Sequence, residues 1–530
     1  VAGLHNHAAS YFEPTEQWPE AIQHYLRAGL HRQAARLIAR YGEDVVAEGR
    51  LGLVDEWLEQ LPADTIRTNA RLSLLYGETC GIKGDWGRAL EALERARTYF
   101  IRKGDKRFES LACLKLSSVF SNYGDPDRSA EMAQAGLDAV PPDAHATRLR
   151  LEGNLALTRI WLTEPLDSVL RECRRVDDEA TRRGLDHFAA IAKHNAGAIL
   201  RRMGRLREAV HSLQEAARFW SESPTSPFAD NFELVTALLY SGDPDSAARA
   251  ATDGSLRTAP WPRPHSLALV GLARVHSANG RFAAAIAVLE EAMKPAAALG
   301  PAVQIALDAM LIENMFLGGE SGSRIGETYD RLLRCKPDPR DAPEWQPAVA
   351  IARHVSGSCG GTCLSAVGEL SGARRSGATS TALISELKIG PLLLEHGGRA
   401  RRRQAWETLT EALDADIATP FRHWVRLYAP HSQALLEFTD GTKLLVRIAS
   451  TDPEGWREAI LAALEKASDD DRVMLLGWVV KHANRDTVEG LRLLPGRDVA
   501  EARRLLQHQR ATHLFLRTFG TVGLHRGDWA

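Results

Sequence analysis

Large apolar, small and turn-forming residues recur along this 530-residue chain at an almost constant interval. A glycine followed by Asp or Arg marks each repeat. The marked glycines are Gly84, Gly124, Gly204, Gly242 and Gly280. The steps between them are 40, 80, 38 and 38 residues, the step of 80 covers two repeats, and Gly318 follows 38 residues later. A fixed period in this range predicts stacked helical units instead of a fold around one core.

Residues at fixed offsets from each glycine predict a pair of helices. Eight residues before the glycine stand Tyr76, Leu116, Ala196, Leu234 and Leu272. Five residues after it stand Ala89, Ser129, Ala209, Ala247 and Ala285, and twelve after it Ala96, Gly136, Ala216, Gly254 and Ala292. Positions seven apart share one face of a helix, and small side chains there let another helix approach closely. Each unit is therefore predicted to be a helix, a tight turn at Gly and an antiparallel second helix.

This pattern resembles the tetratricopeptide repeat (TPR), lengthened from its usual period of about 34 residues. Degenerate turns are predicted near residue 164, at Thr163-Glu164-Pro165, near 357, at Gly357 to Gly361, and near 397, at Gly397-Gly398. Chance spacing in an Ala-rich helical protein is the alternative, which five matched units disfavour. The predicted fold is all-α, a superhelical array of TPR-like helix hairpins with a period of 38–40 residues, followed by a small α+β C-terminal region.

The first fifty residues carry a more specific pattern of apolar and small residues at helix-hairpin spacing. Pro19 suits the start of a helix and Gly29 the end of one, which predicts two amphipathic helices. The segments are Leu4-His5, Ala8-Ala9, Tyr11-Phe12, Trp18 to Ile22, His24-Tyr25, Ala28-Gly29, Ala34-Ala35 and Leu37-Ile38, continued by Trp57-Leu58 and Leu61-Pro62. This stretch resembles the junction between the ATPase module and the helical-repeat sensor domain of MalT-like signal-transduction ATPase (STAND) regulators of bacterial transcription.

The STAND resemblance extends over most of residues 1 to about 415. It implies that the parent protein carries an ATPase module that uses ATP and self-associates. No cofactor is expected in the present residues.

The C-terminal part has a different pattern. Residues Ala434 to Ser450 are predicted to form two strands joined at Asp440-Gly441, and helices are predicted roughly over 453–466, 471–482 and 499–509. Strand-like runs follow at 514–520 and 522–527. They resemble the opening strands of the winged-helix DNA-binding domain of actinobacterial-type pathway regulators (BTAD/SARP type). The matching positions are Leu516, Arg517, Gly520, Arg526 and Gly527. A terminal β-hairpin packed on the last helices is the alternative.

These patterns predict four regions. They are helical junction hairpins at 1–62, the TPR-like array at 63–415, a capping or linker region with one β-hairpin and helices at 416–510, and truncated winged-helix strands at 511–530. Val1 is not methionine, and Ala530 precedes any DNA-reading helix. We expect a fragment of a longer protein, although processing of a whole protein would also remove an initiator methionine.

Composition narrows the classes of function. With 44% hydrophobic and 25% charged residues, the chain is globular, and its formal net charge of −2 disfavours a general nucleic-acid or membrane-surface binder. No membrane span or signal peptide is predicted, and six cysteines in 530 residues favour a reducing, cytoplasmic location.

Enzymatic motifs are missing from the sequence. The chain contains no Gly-Lys dipeptide and therefore no phosphate-binding loop of the G-x-x-x-x-G-K-[ST] type. His5-Asn6-His7 has a nuclease-like composition but precedes a predicted helix. No Ser, His and Asp set stands in a recognisable nucleophile context. The chain is therefore predicted not to be an enzyme.

Cys359 and Cys363, with His354 and Cys335 nearby in sequence, are the best metal or redox candidates. A zinc site needs four ligands, and only one cysteine pair is visible. Because the intervening glycines fall in a predicted inter-helix turn, a turn is favoured over a metal site or a disulfide switch.

The concave surface of the array is the predicted binding surface, because the first helix of each hairpin normally faces inward. Candidate contacts there are Arg159, His194, Asn195 and Arg201. A basic run around Arg399 and Arg402, followed by Trp406, is a further candidate, with a solvated helix face as the favoured alternative. Aromatic residues nearby are expected to cap the last repeat; they are Phe421, His423, Trp424 and Tyr428.

The STAND resemblance implies a mechanism. A small-molecule or protein effector bound by the array would release the ATPase for ATP-dependent self-assembly, and DNA would be bound only by the missing C-terminal domain. A stand-alone TPR-like scaffold for protein–protein interaction is the alternative. The open reading frame upstream of residue 1 and downstream of residue 530 distinguishes the regulator from the scaffold.

Overall fold

The computed structural model describes residues 1–161, 165–222, 226–337, 342–357, 374–375, 377–415, 421–438, 440–482, 499–500 and 502. The chain divides into two compact units, the first comprising Val1–Ile389 and the second beginning at Gly390. Within the described ranges the regular structure is helical and contains no β-strand. The predicted all-α helical-repeat architecture is confirmed.

The first unit is a succession of antiparallel helices. They are α1 (Ala2–Phe12), α2 (Trp18–Arg27), α3 (His31–Ala47), α4 (Leu51–Glu59), α5 (Ala63–Thr68), α6 (Ala70–Lys83), α7 (Trp86–Lys103), α8 (Lys106–Tyr123), α9 (Pro126–Ala139), α10 (His145–Trp161), α11 (Leu166–Arg182), α12 (Asp186–Arg202), α13 (Leu206–Trp220), α14 (Phe232–Tyr240), α15 (Pro244–Thr258), α16 (Pro262–Ala278), α17 (Phe282–Ala292), α18 (Ala296–Leu317), α19 (Gly322–Arg334) and α20 (Ala342–Val355). Helix α21 (Thr379–His396) begins in the first unit and ends in the second.

The repeated Gly-Asp dipeptide builds the turn inside each hairpin. At Gly84 the backbone has φ +88°, the left-handed conformation that glycine adopts without steric cost, and α6 ends there. The next residue, Asp85, accepts a hydrogen bond from the backbone N–H of Arg88 and so caps the start of α7. The same arrangement recurs at the equivalent dipeptides, Gly124-Asp125 and Gly242-Asp243.

One of the weaker turn predictions needs correction, and two others involve residues outside the described ranges. At Gly318 the backbone is helical, with φ −84°, and the left-handed residue is Gly319, so the turn falls one residue later. Near residue 164, the connection between α10 and α11 includes residues outside the described ranges, and α11 begins directly after Pro165. Near residue 357, α20 ends before Gly357, which has φ +70°, while Cys359 and Cys363 lie outside the described residues.

A second class of glycine turn, which the repeat pattern did not predict, joins one hairpin to the next. Gly104 has φ +67° and ends α7, and Asp105 then caps α8 by accepting from the backbone N–H of Phe108. Gly184 occupies the corresponding place between α11 and α12, with φ +67°. Glycine therefore sets both connections in this part of the array, the one within a hairpin and the one between hairpins.

Small residues at the predicted offsets let the two helices of a hairpin pack closely. In the hairpin of α6 and α7, Ala89 and Ala96 are fully buried. A Cβ atom at Gly77 would lie 2.5 Å from Cγ of Leu93, closer than any packed side chain tolerates. The close approach that the sequence pattern predicts is therefore present, and it excludes larger residues at these positions.

The first unit curls until distant parts of the chain meet. The turn at Gly84 lies against Ala298, and the turn at Gly124 lies against Ala302. Both partners belong to α18, which is kinked at Gly300 (φ 68°, ψ 161°) before Pro301. Because only glycine leaves room at the two turns, the Gly-Asp signature fixes this long-range packing as well as the local turn.

Three helices occupy the first fifty residues, where two were predicted. Pro19 lies at the start of α2 and Gly29, with φ +72°, lies just after its end, as expected from the sequence. The additional helix is α3, which follows Gly29. Helix α1 has one fully buried residue, Ala9, and leaves Leu4 and Tyr11 exposed.

The second unit continues from the end of α21 with short helices. They are α22 (Arg399–Asp414), α23 (Arg422–Arg426), a 3₁₀-helix (Ala429–Glu437), α24 (Gly441–Thr451), α25 (Arg457–Lys466) and α26 (Asp469–His482). Tyr428 is fully buried and packs over Gly390, and its ring centroid is 5.5 Å from that of Trp406.

The predicted β-hairpin at Ala434 to Ser450 is wrong. Asp440 does adopt the left-handed backbone expected of an Asp-Gly turn, with φ +66°, but it precedes a helix instead of linking two strands. Leu445, Ile448 and Ala449 are buried together on one face of α24, a spacing that only a helix produces. Of the three helices predicted after it, those at 453–466 and 471–482 are present as α25 and α26, and most of the third, at 499–509, lies outside the described residues. The predicted winged-helix strands at 511–530 lie outside the described residues.

Candidate functional site

A cavity of about 380 Å³ lies inside the first unit. Its wall is built mainly from the first helices of successive hairpins, which are α6, α8, α10, α12, α14 and α16. Residues of α3 and α11, the end of α13 and the segment from Pro227 to Asp230 complete it. We call this space the central cavity. Because its walls come from residues far apart in sequence, it exists only when the array is curled.

One wall carries a buried network of two cations and two carboxylates. Nζ of Lys115, whose side chain is completely buried, lies 3.0 Å from Oε2 of Glu43 and also pairs with Glu78. Nη2 of Arg150 lies 3.2 Å from Oε1 of Glu78. The guanidinium of Arg150 also lies 4.9 Å from the ring centroid of Phe188. The network is balanced in charge, which is how buried ions are tolerated.

The two carboxylates of this network differ in the direction of their pKa shifts. Burial raises the pKa of Glu43, and the attraction of Lys115 does not offset it. Its second oxygen, Oε1, has no hydrogen-bond partner in the part of the chain that the structure describes. Burial acts in the same direction on Glu78, but Lys115 and Arg150 together hold its pKa below the ordinary value. Glu78 is therefore the ionised centre of the network.

A second polar group lies where α12 and α16 face the segment before α14. Asp230 is attracted to His194 and Arg263, and one of its carboxylate oxygens accepts a hydrogen bond of 3.0 Å from the backbone N–H of Phe232. Burial raises the pKa of Asp230. The position of this segment depends on Gly254, because a Cβ atom there would lie 2.6 Å from the carbonyl oxygen of Asp230.

Aromatic rings form the surface between these polar groups. Trp220 lies 5.7 Å from His194 and 5.9 Å from Phe228, measured between ring centroids. His187 is only 4% exposed and lies 5.0 Å from the ring of Phe228. Burial, together with the neighbouring Arg150, lowers the pKa of His187 to about 4, so this imidazole is neutral at physiological pH.

A further buried ion pair, between Arg201 and Glu233, supports the wall of the central cavity. Nε of Arg201 lies 2.5 Å from Oε2 of Glu233, and its Nη2 lies 3.2 Å from Oε1. Burial alone would raise the pKa of Glu233, but Arg201 holds it at about 2. Such a bidentate pair is a strong fixed contact between α12 and α14.

The residues predicted from sequence fall in different places. His194 and Asn195 line the central cavity. Arg201 does not line it but pairs with Glu233, which does. Arg159, near the end of α10, does not line the cavity. The hydrogen bond from Arg175 lowers the pKa of the nearby Glu172 carboxyl group, and Arg159 adds a smaller attraction.

The remaining predicted residues are in the second unit, on α22. Arg399 and Arg402 are exposed on that helix. Trp406 is 3% exposed and packs near Tyr428, so its side chain belongs to a core. Of these three residues, only the two arginines present their side chains to solvent.

Sequence reasoning missed the residues that give the cavity its charge. Lys115 interrupts the apolar run of α8, and that interruption was a usable signal, since a lysine between leucines on a first helix faces the core or the concave surface. Arg263 stands between two prolines at the start of α16, where no periodic pattern exists. Asp230 lies outside any helix and carries no signal in the sequence alone.

Comparisons with known proteins give a consistent but distant picture. No protein-family model matches the chain. Among solved structures, an APC/C hetero-tetramer, Cut9–Hcn1, matches with a TM-score of 0.49 and 12% identity, over 93% of this chain and 96% of that one. The pentatricopeptide repeat protein PPR10 from maize matches with a TM-score of 0.23 and 13% identity, over 97% of this chain and 72% of that one.

A third solved structure, a circular tandem repeat protein with a novel repeat topology, has a TM-score of 0.13 and 16% identity, over 98% of this chain and all of that one. In the described part of the chain, no helix combines the length and apolar character needed to cross a membrane. The chain is a helical-repeat protein, a description that rests on its own helices, glycine turns and packing.

Proposed function

We propose that this chain is the effector-sensing region of a bacterial ATP-dependent transcription regulator and that it binds a small molecule in the central cavity. The observation that carries the proposal is the cavity itself, about 380 Å³ in volume and lined by the inward-facing helices of the repeat array. Cavities of this size accommodate metabolites, and a mixture of aromatic and charged lining residues is typical of ligand sites.

The construction of the cavity supports a sensing role. Its lining residues come from six first helices, so a bound molecule would contact several hairpins at once. A ligand that prefers one curvature of the array would shift the array towards that curvature, because each hairpin touches mainly its neighbours. The rest of the protein would then sense occupancy of the cavity through the shape of the array.

The transcriptional part of the proposal rests on the resemblance of the first fifty residues and the array to STAND regulators. In that account the effector releases an ATPase module for ATP-dependent self-assembly, and a separate domain binds the promoter. The sequence of the open reading frame on both sides of residues 1–530 tests it. A phosphate-binding loop upstream and a winged helix downstream are expected, while stop codons at both flanks would overturn the regulator assignment in favour of a scaffold.

Effector binding is tested by a thermal-shift screen of the 530-residue chain against small metabolites. A ligand at about 100 times its dissociation constant stabilises the folded state by about 2.7 kcal/mol, which is readily measured. Stabilisation that disappears when the cavity is filled by mutation supports the proposal. A screen in which no small molecule stabilises the chain, while a folded protein partner does, would contradict it.

A further inference from the structure

Among the described residues, one cation in the wall of the central cavity has no ion-pair partner. Arg263, in the first turn of α16, lines the cavity, and its Nε is buried without a hydrogen-bond partner in the same set of residues. Its guanidinium lies over the ring of Trp86, whose centroid is 6.0 Å from its Cζ. Burial lowers the pKa of Arg263 to about 10. Holding an unpaired cation among protein atoms is costly.

The other cations near the cavity are compensated. Lys115 pairs with two carboxylates, Arg150 pairs with Glu78, and Arg201 forms a bidentate pair with Glu233. Each of these three cations therefore has a carboxylate partner within the chain. Arg263 has none among the described residues, which points to a counter-ion from outside the chain.

Asp230 stands near Arg263 without neutralising it. The two side chains attract each other, and among the described residues they do not approach closely enough to form an ion pair. Nearby, the Asn195 side chain is 8% exposed and, in the same described set, makes no hydrogen bond. A molecule placed between them would find a cation, a carboxylate and a carboxamide within one wall.

The cavity lining also contains apolar side chains, beside the charged network of Lys115, Glu78 and Arg150. They include Val46, Leu149, Val176, Ile191, Phe188 and Phe228. A hydrocarbon group placed against them would be stabilised by roughly 25 cal/mol per Å² of surface removed from water. The cavity therefore offers both the Arg263 cation and apolar surface to one ligand.

We propose that the effector is a small carboxylic acid with an amino or hydroxyl group beside its carboxylate and an apolar side chain, the class to which apolar amino acids belong. The carboxylate pairs with the Arg263 guanidinium, and the adjacent amino or hydroxyl group donates to the Asp230 carboxylate. The apolar side chain enters the aliphatic and aromatic part of the cavity. This inference rests on the proposed function, since it names the ligand of the same cavity.

The test measures binding of matched probes by isothermal titration calorimetry with the whole 530-residue chain. The panel contains apolar L-amino acids, with L-phenylalanine, its amide, hydrocinnamate and phenethylamine as the matched series. We expect the amino acids with intact carboxylates to bind most tightly, hydrocinnamate more weakly, and the amide and phenethylamine at least about 100-fold more weakly. Tighter binding of phenethylamine than of L-phenylalanine, or no binding by any carboxylate of the panel, would overturn the assignment.

Two variants assign the contacts. In Arg263→Gln we expect carboxylate affinity to fall about 100-fold or more, while the unfolding temperature of the ligand-free chain stays the same or rises, because an unpaired buried cation is removed. In Asp230→Asn the preference for L-phenylalanine over hydrocinnamate should shrink. Unchanged carboxylate affinity in Arg263→Gln overturns the proposal, and so does a large loss of ligand-free stability, which would make Arg263 a structural residue.

The same screen separates failure of this inference from failure of the proposed function. If neutral or cationic molecules bind and their binding depends on the cavity, the sensing function stands and the ligand class is wrong. If no small molecule of any class binds, both are wrong. The two conclusions are therefore distinguishable.

Discussion

Gly84, in the turn of one hairpin, lies so close to Ala298 that a Cβ atom on the glycine would stand 2.2 Å from the alanine carbonyl oxygen. The two residues are joined by more than two hundred residues of intervening chain. Gly124 makes an equivalent approach to Ala302 one hairpin further on. These contacts hold α18 against two turns of the array, and they are part of what keeps the first unit curled around its cavity.

The first prediction compares two glycine turns of similar backbone conformation. Gly84 has φ +88° and Gly242 has φ +82°, but no atom lies within 4 Å of a Cβ built on Gly242. Gly242→Ala should lower the free energy of unfolding by about 1–2 kcal/mol, which is the strain of the left-handed backbone conformation alone. Gly84→Ala should cost about 1–3 kcal/mol more, because the backbone of α18 must also move.

Urea unfolding followed by circular dichroism measures both effects. The difference in the free energy of unfolding between the two variants isolates the clash. Both variants carry the same backbone strain, and only Gly84→Ala carries the clash. Equal unfolding midpoints for the two variants would show that the contact between Gly84 and Ala298 does not contribute to stability.

The second prediction concerns the buried network around Lys115. Replacing this completely buried side chain with methionine, which has a similar length, removes the ion-pair partner of the partly buried Glu43 carboxylate. We expect Lys115→Met to lower the free energy of unfolding by about 3–5 kcal/mol. Arg67→Met is the matched control, because Arg67 pairs with Asp64 in an exposed i,i+3 bridge, and it should change stability by less than about 0.5 kcal/mol. Similar losses in both variants would refute the assigned role of the network.

The third prediction is a pH dependence that arises from His187. Its pKa is about 4 in the folded chain, below the ordinary 6.5, so folding favours the neutral ring. This contribution to the free energy of unfolding is fully present above pH 6.5 and is lost as the pH falls towards 4. The total loss is about 3 kcal/mol, of which about 2 kcal/mol is lost by pH 5. His187→Phe removes the titrating group, so the decrease in stability between pH 7 and pH 5 should be smaller by about that amount.

Chemical denaturation of the wild type and His187→Phe at the two pH values measures this difference. Carboxylates elsewhere titrate equally in both proteins and cancel in the comparison. If the free energy of unfolding depends on pH identically in the wild type and in His187→Phe, the imidazole is accessible to protons in the folded chain.

The sequence predicts the turns well because glycine at positive φ is a local requirement. At Gly84, Gly124 and Gly242 one residue type satisfies that requirement and the following Asp caps the next helix, so the signal is visible without any knowledge of packing. The reverse dipeptide, Asp440-Gly441, predicts a left-handed residue correctly but not the helix after it. A local backbone conformation does not determine whether a strand or a helix follows.

The site is harder to predict because it depends on how far the array curls. His194 and Asn195 follow from the rule that first helices face inward, which requires only helix periodicity. Helices α3 and α6 share the cavity wall with α12 and α16 because small rotations of each hairpin accumulate over several units. No single stretch of sequence determines the sum of these rotations.

Filling the cavity tests the central claim most directly. Gly153 lines the cavity on α10, and a Cβ atom there would meet only Val176, at 3.9 Å, so a larger side chain has room to extend. Gly87, on the exposed surface of α7, has no atom within 4 Å of such a Cβ and provides the matched control. Because glycine inside a helix is unfavourable by about 1 kcal/mol, neither Gly153→Leu nor Gly87→Leu should lower stability.

The decisive measurement is the dissociation constant of the strongest small-molecule ligand for the wild type, Gly87→Leu and Gly153→Leu, determined by isothermal titration calorimetry at one pH and salt concentration. We predict equal dissociation constants for the wild type and Gly87→Leu, and at least about 100-fold weaker binding by a fully folded Gly153→Leu. An unchanged dissociation constant in Gly153→Leu would contradict the account, because the ligand would then bind outside the central cavity.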